Sequence, residues 1–328
     1  MLRRLSKADF ALHLLLAIAG AVFVAFTPTG SFGVILLNSA DVWPAILPPS
    51  LLPSQPETLQ FLNAGLLLLI ALFINIILVK RDLIPNQSFL GALVFILLSW
   101  FTPASSFLFY GLLVTLLLLI SLNSLMNMYM KSHPYSDVMT ATISIGVASF
   151  FIPETILFLL LFVWLGFFTL RITAWREWII SIAGILVPYF YLGVYLFFTD
   201  QLWLFWDRYV LYIQNYTLLF RPVSMLNMIT IVSLILLWLM VFFRVLSGIG
   251  DKLIAVRKRM WLVTQFQWAG IASLILLSYK SPMLLPLVYV SLSMMFVFVI
   301  YQLKARMLIY EIAFGLFLIL AALGRIFA

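Results

Sequence analysis

Cysteine is absent from this 328-residue sequence, and histidine occurs only twice. Without cysteine the chain can form no disulfide, no thiolate nucleophile and no zinc–thiolate site. His13 and His133 stand alone, without the spaced ligand residues that a metal site needs. No phosphate-binding glycine loop, hydrolase Gly-x-Ser-x-Gly or kinase motif is present either. We therefore predict no resident cofactor, and only a divalent metal bound by carboxylates stays open.

Charged residues are also scarce, at 9% of the chain against roughly 25% in soluble domains. Hydrophobic residues make up 65% of the chain, and the mean hydropathy is +1.17. This composition predicts an integral membrane protein that crosses the membrane many times. The longest stretches outside the apolar runs, 29–58 and 200–222, are too short for a soluble domain. We therefore expect residues 1–328 to form a single transmembrane domain.

Apolar runs of about 20 residues can cross a membrane, and such runs divide the chain into about eleven predicted transmembrane helices. The first follows Arg3, Arg4 and Lys7, as in a signal peptide, but no convincing small-residue cleavage site follows it, which favours a retained helix. The predicted fold class is an all-α polytopic membrane helix bundle. Its helices are expected near residues 10–28, 59–79, 88–102, 105–129, 137–152, 154–172, 177–198, 223–245, 260–279, 283–303 and 307–326.

The basic residues are unequally divided between the two sides of this predicted bundle. With the N-terminus in the cytoplasm, all but four of the 19 basic residues fall on the cytoplasmic side, as the positive-inside rule requires. The four exceptions are Arg208, Arg221, Lys280 and Arg325. The net charge of +8 therefore indicates orientation in the inner membrane, and no nucleic-acid partner is predicted. In this orientation 29–58 and 200–222 are extracytoplasmic loops.

The stretch 29–58 contains five prolines, which break any continuous helix. Within it, Asp41 and Trp43 lie close together at the predicted outer boundary of the membrane. In one interpretation, Asp41 is a solvated loop acid next to an interfacial tryptophan. In the other, it is a carboxylate at the mouth of a cavity, in an environment suited to general-base catalysis or metal binding.

The stretch 200–222 combines basic and aromatic residues. Its aromatic side chains recur every three or four residues, which predicts one face of a short helix lying in the membrane plane. Arg208 and Arg221 would then lie at the level of the headgroups, where guanidinium groups bind phosphate in a bidentate manner. The stretch is either a simple interfacial anchor or a lid over a lipid-phosphate site. The aromatic residues concerned are Phe205, Trp206, Tyr209, Tyr212, Tyr216 and Phe220.

Four short segments between about residues 60 and 200 follow a distinctive order. They are Lys80-Arg-Asp-Leu-Ile-Pro-Asn-Gln-Ser88, Ser144-Ile-Gly-Val-Ala-Ser-Phe-Phe-Ile-Pro-Glu154, Trp175-Arg-Glu-Trp178 and Gly184-Ile-Leu-Val-Pro188. This order resembles a family of polytopic inner-membrane proteins from Bacteroidota. The resemblance implies a location in the membrane and no particular activity.

The overall layout is also similar to that of the GT-C membrane glycosyltransferases, which use polyprenyl-phosphate sugars. Their N-terminus is usually cytoplasmic, and their first extracytoplasmic loop carries a catalytic acid. The resemblance implies that Asp41 is the catalytic acid. The second acid that often accompanies it in that family is replaced here by Val42.

Our first functional hypothesis follows from this resemblance. The protein would handle a polyprenyl-phosphate-linked sugar or lipid on the extracytoplasmic face, with Asp41 as base or metal ligand. Arg208 and Arg221 would hold the lipid phosphate, and Trp43 and Tyr209 would line the acceptor side.

The second hypothesis is a non-enzymatic membrane protein. In it the chain is a subunit or scaffold of an envelope secretion, assembly or transport complex. Its exposed loops would dock a partner protein through aromatic residues such as Trp206 and Tyr209.

Overall fold

A computed structural model of the protein describes residues 10–26, 56–84, 89–99, 108–172, 174–203, 206–207, 225–276, 284–302 and 307–327. Within these ranges the backbone forms helices joined by short turns, and no strand occurs. The predicted all-α fold is confirmed for this part of the chain.

Eleven helical segments follow one another in the described ranges, and each overlaps one of the predicted apolar runs. They are α1 (Phe10–Phe26), α2 (Pro56–Lys80), α3 (Leu90–Ser99), α4 (Leu108–Asn127), α5 (Tyr135–Phe151), a sixth segment that ends in α6 (Leu165–Leu170), α7 (Trp175–Phe198), α8 (Met225–Gly248), α9 (Ile254–Leu276), α10 (Leu285–Gln302) and α11 (Met307–Phe327).

Four helices of the described chain are long and apolar enough to cross a membrane. Their candidate spans are Thr58–Lys80, Phe109–Asn127, Trp175–Phe198 and Met228–Gly248. One of the other apolar helices, α3, has only ten residues, which is about 15 Å against a hydrocarbon core of about 30 Å. The structure thus shows a helical bundle with several helices of membrane-spanning length, and eleven full crossings stay a prediction.

The sixth segment differs from the regular helix that we predict over 154–172. It begins with a 3₁₀ turn at Pro153–Ile156, widens into a π-helix over Leu159–Trp164 and finishes as α6. Proline cannot donate a backbone hydrogen bond, so Pro153 suits the start of the segment. Phe158 and Phe162 meet Phe266 of α9 edge to face, with ring centroids 5.6 and 5.2 Å away. This aromatic packing holds the irregular stretch against α9.

The centre of the bundle is α10, in which every residue from Leu287 to Ile300 is buried. It packs against α3, α4, α8 and α9, as expected for a helix that is apolar on all sides. Its serine hydroxyls bond to carbonyls of their own helix, and Ser291 Oγ also contacts Gln267 Oε1 of α9. Ser291 donates to the Val288 carbonyl at 3.0 Å and Ser293 to the Val290 carbonyl at 2.8 Å. These bonds allow the hydroxyl groups to lie in an apolar interior.

The main neighbour of α7 is α5, and the two helices run in the same direction. Gly184 faces Thr142 so closely that a Cβ atom on Gly184 would overlap the Thr142 Oγ1. Farther along both helices, Ser149 Oγ and Tyr189 OH form a hydrogen bond of 2.8 Å. Glycine has no side chain and lets the backbones of two helices approach closely, which is common in the packing of membrane helices. It fixes α7 at the edge of the bundle.

The two ends of the bundle differ in their charges. At the end that we call the basic end, α2, α4, α6 and α8 finish and α5, α7 and α9 begin. Lys80, Lys131, Arg171 and Arg176 lie at this end, in the connections or in the terminal turns of the helices. At the opposite end, the far end, α2 begins and α7 finishes. In the sequence, the stretches 29–58 and 200–222 adjoin these two helix ends.

Candidate functional site

The chain turns sharply after α2 and carries Arg81 into the bundle. Arg81 is only 8% exposed, and arginine is rarely buried unless it is paired. The turn includes Asp82 at a left-handed φ of 53°, a conformation that aspartate adopts more readily than most residues. The Arg81 N–H still donates to the Ile77 carbonyl at 2.9 Å. The hydrogen-bonding pattern of α2 thus continues to Arg81, and the guanidinium points towards α4.

Two asparagines on one face of α4 receive this guanidinium. Nη2 of Arg81 donates to Asn123 Oδ1 at 2.8 Å, and Nη1 donates to Asn127 Oδ1 at 3.0 Å. Residues four positions apart share a helix face, and the planar fork of arginine can bond to both. Burial lowers the pKa of Arg81, Arg259 lowers it further and Asp137 opposes the shift. Arginine nevertheless stays charged at physiological pH because its ordinary pKa is so high.

Asp137, in the first turn of α5, extends the same group of contacts. Asn127 Nδ2 donates to Asp137 Oδ1 at 2.7 Å, and Lys131 Nζ donates to Asp137 Oδ2 at 2.6 Å. A carboxylate in the first turn of a helix is stabilised by the macrodipole. The chain of contacts from Arg81 to Lys131 therefore joins the ends of α2, α4 and α5.

Arg259 brings α9 to the same place. Its Nη1 donates to the Arg81 carbonyl at 2.7 Å and lies 3.6 Å from Asp82 Oδ2. Because Asp82 is largely exposed, we assign the firmer role to the carbonyl contact, which caps the end of α2. We call these residues the Arg81 network: Arg81, Asn123, Asn127, Lys131, Asp137 and Arg259.

Lys258 occupies a different environment from its neighbour Arg259. Its Nζ lies 3.5 Å from the Leu170 carbonyl, at the end of α6, and 5.1 Å from the centroid of the Tyr129 ring. Burial lowers the pKa of Lys258, and the positive charges of Arg171 and Arg257 lower it further. Arg171, which follows α6, and Arg257 of α9 are therefore close enough for their charges to act on Lys258. We call Arg171, Arg257 and Lys258 the cationic triad.

Left-handed residues end three helices at the basic end. Asp82, Met130 and Arg171 have φ values of 53°, 66° and 63° and follow α2, α4 and α6. Non-glycine residues in this conformation cost about 1–2 kcal/mol each. They stop the helices abruptly and leave terminal carbonyls for basic side chains, as the contacts of Lys258 and Arg259 show.

The chemistry of this site is that of a donor-rich surface. Guanidinium, ammonium and amide groups outnumber the carboxylates Asp82 and Asp137 among its contacts. In the described ranges, no group of three or more His, Cys, Asp or Glu residues could hold a metal ion. The arrangement is suited to binding an anion.

The site residues that we predict from the sequence lie mostly outside the described residues. Asp41, Trp43, Arg208, Tyr209 and Arg221 belong to this group, and whether they come together stays a prediction. Trp206 is described and is 59% exposed.

The far half of α7 presents aromatic side chains on the outside of the bundle. Six of the ten residues from 189 to 198 are aromatic. A Cβ atom on Gly193 would find no neighbour within 4 Å, so this part of α7 is open. We call the exposed residues the aromatic surface of α7: Phe190, Tyr191, Tyr195, Phe197, Phe198 and Trp203.

Sequence reasoning missed the Arg81 network. Arg81 and Arg259 contribute to the predicted orientation only as two of many cytoplasmic charges. A signal was present in Asn123 and Asn127, two amides four residues apart in an otherwise apolar helix. Intramembrane polar residues usually have a partner, but the sequence does not show that this partner is Arg81.

The fold and these contacts define a class of protein: a helical bundle of membrane type with one strongly basic end. No protein-family model, curated protein or solved structure matches the chain.

Proposed function

We propose that the protein is a multi-pass, GT-C-like protein of the inner membrane that binds a polyprenyl-phosphate-linked sugar or lipid at its far end. The aromatic surface of α7 is the observation that carries this proposal. It is apolar and faces outward. It leads directly into the stretch 200–222, which contains Arg208 and Arg221.

A polyprenyl phosphate has two parts with opposite preferences. Its isoprenoid chain is apolar and would lie along Phe190, Tyr191 and Tyr195. Its phosphate would stay at headgroup level, where Arg208 and Arg221 can bind it through paired N–H groups. In this proposal Asp41 is the base or metal ligand, and Trp43 and Tyr209 line the acceptor side.

The proposed orientation can be tested because the protein has no cysteine. Ser39→Cys in the stretch 29–58 and Ser132→Cys at the basic end each introduce one thiol. In intact cells whose outer barrier is permeabilised, a membrane-impermeant maleimide should label Ser39→Cys and leave Ser132→Cys unlabelled until the inner membrane is lysed. The reverse pattern would contradict the orientation.

The binding proposal can be tested with purified full-length protein and a short-chain polyprenyl phosphate. Arg208→Gln/Arg221→Gln should weaken binding by about tenfold or more, since a charge-assisted hydrogen bond contributes about 1.5–3 kcal/mol. The matched control is Lys80→Gln/Arg176→Gln, which removes the same charge from the basic end. Equal affinity in both variants would exclude a phosphate site at Arg208 and Arg221.

The catalytic part has a separate test. Asp41→Asn should abolish modification of the cell-envelope glycan while the abundance of the protein stays unchanged. Unaltered glycans at normal abundance would refute a catalytic role for Asp41.

The second candidate function is a scaffold or subunit of an envelope complex, with the same aromatic surface covered by a partner protein. The side chains of Trp203 and Trp206 are both exposed, and aromatic residues are enriched at protein interfaces. Purification in mild detergent would distinguish the two functions. A stoichiometric partner that is lost in Trp203→Ala/Trp206→Ala supports the scaffold, and a monodisperse monomer contradicts it.

A further inference from the structure

We propose that the cationic triad binds the phosphate of an anionic phospholipid whose acyl chains lie along the seam between the sixth segment and α9. The seam is the surface where Lys258 and Gln265 of α9 meet Leu170 and Thr169 of α6. This site lies at the basic end and is independent of the proposed polyprenyl-phosphate site, which lies at the far end.

The positions of the three cations follow from the packing of α6 against α9. Lys258 Nζ lies beside the Leu170 carbonyl, and Arg171 is the next residue in the chain. Deeper along the seam, Gln265 Nε2 donates to Thr169 Oγ1 at 2.6 Å. These two contacts show that α6 and α9 run antiparallel. They hold Arg171 and Arg257 near the Lys258 ammonium.

The triad is less well balanced than the Arg81 network beside it. Arg81 has two asparagine side chains, and Lys131 has the Asp137 carboxylate. For Lys258, the acceptor is a carbonyl at 3.5 Å, and the charges acting on it come from two further cations. An anion placed among these cations would reduce their mutual repulsion.

The chemistry of the triad matches a phosphate. Two guanidinium groups can each donate two parallel N–H groups to phosphate oxygens, and an ammonium adds a compact charge. Lys258, Arg257 and Arg171 are only partly buried or exposed, so a ligand can reach them from outside.

The surface below the triad favours a lipid over a free anion. On α9, Trp261 is exposed, and on the sixth segment Leu165, whose carbonyl lies 3.4 Å from Gln265 Nε2, is exposed. Given a rise of about 1.5 Å per residue, Trp261 lies about 5 Å deeper than Lys258, and Gln265, opposite Leu165, lies about 10 Å deeper. The seam therefore has charged residues at the basic end and exposed apolar residues deeper in the bundle. A phospholipid has the same order, with a charged headgroup above its acyl chains.

The test uses the full-length protein in a neutral detergent, titrated with phosphatidylglycerol, with phosphatidylcholine as the zwitterionic comparison. Native mass spectrometry counts bound lipids, and thermal unfolding reports stabilisation. Arg171→Gln/Arg257→Gln should weaken phosphatidylglycerol binding by about tenfold or more, with phosphatidylcholine unaffected. Lys258 stays in place in this variant because it contacts the end of α6.

Two further variants and one further probe complete the test. Lys80→Gln/Arg244→Gln removes the same charge at the same end and should change phosphatidylglycerol binding less than about twofold. Arg171→Lys/Arg257→Lys keeps the charge and should retain intermediate affinity. Equal losses in the two glutamine variants would overturn the proposal, because the effect would then depend on total charge. Inorganic phosphate that stabilises the protein as well as the lipid does would overturn the role of the seam.

Discussion

The Arg81 network and the cationic triad lie at the same end of the bundle, but their charges are balanced in different ways. In the network, amides and a carboxylate from α2, α4 and α5 surround Arg81 and Lys131. In the triad, Lys258 lies beside a carbonyl and an aromatic ring, and the charges of Arg171 and Arg257 act on it. A buried cation with partners, such as Arg81, joins helices, whereas the partly exposed cations of the triad, for which no carboxylate partner occurs in the described part of the chain, offer a site for an anion. The basic end therefore contains one structural and one ligand-binding region.

The largest effect is expected from Arg81→Ala. It removes the guanidinium contacts to Asn123 and Asn127 and leaves two half-buried amide oxygens without that donor. We expect a loss of about 2–4 kcal/mol in stability, measured by thermal unfolding in one detergent. Arg176→Ala, at an exposed position, should unfold like the wild type. Matching melting temperatures for both variants would show that the network does not join the helices.

A smaller loss is expected from Asp137→Asn. This variant keeps the shape of the side chain but removes the charge that pairs with Lys131 and that favours the first turn of α5. We expect about 1–2 kcal/mol, again from thermal unfolding. Lys131 is exposed, so Lys131→Met should cost less than Asp137→Asn. A larger loss for Lys131→Met than for Asp137→Asn would mean that the exposed lysine contributes more to stability than the carboxylate does.

The pH dependence of Lys258 distinguishes the triad from the network. The pKa of Lys258 in the folded protein is below its ordinary value of 10.5, so the unfolded chain binds this proton more tightly. The contribution of Lys258 to stability should therefore increase as pH rises from the folded pKa towards 10.5. The difference in melting temperature between the wild type and Lys258→Met should follow this trend. A constant difference across that range would mean that neither burial nor the two arginines lowers the pKa of Lys258 in the folded protein.

The smallest effect is expected from Tyr129→Leu. The ring lies under the Lys258 ammonium, and a contact of this kind contributes about 0.5–1 kcal/mol at an exposed site. Thermal unfolding should show a loss in that range. Tyr135→Leu, near the start of α5, serves as the control. A loss as large as that of Arg81→Ala would indicate that the triad also holds the helices together.

The sequence predicts the helices well because each depends on a local run of apolar residues. Predicted runs such as 10–28 and 59–79 coincide closely with Phe10–Phe26 and Pro56–Lys80. The π-helical stretch at Leu159–Trp164 could not be predicted, since it depends on packing against Phe266, more than 100 residues away in the chain.

The contacts of the candidate site could not be predicted either, because they join residues that are far apart in the sequence. Arg81 and Asn127 are 46 positions apart, and nothing local distinguishes Arg81 from the exposed Lys80. The positive-inside rule groups Arg81 and Arg171 together, although one lies in a network of partners and the other in the triad. Only the packing of α2, α4, α6 and α9 separates them. The proposed roles of Asp41, Arg208 and Arg221 stay predictions.

The contact between Gly184 and Thr142 has a consequence for sequence variation. Any side chain at position 184 must displace the hydroxyl of residue 142, so alanine at 184 requires a smaller residue at 142. Related chains that pack α5 against α7 in the same way should change these two positions together. The pair Ser149 and Tyr189 should also vary jointly, because the loss of either hydroxyl removes their hydrogen bond. Such coupled substitutions would identify distant relatives that keep this helix pair.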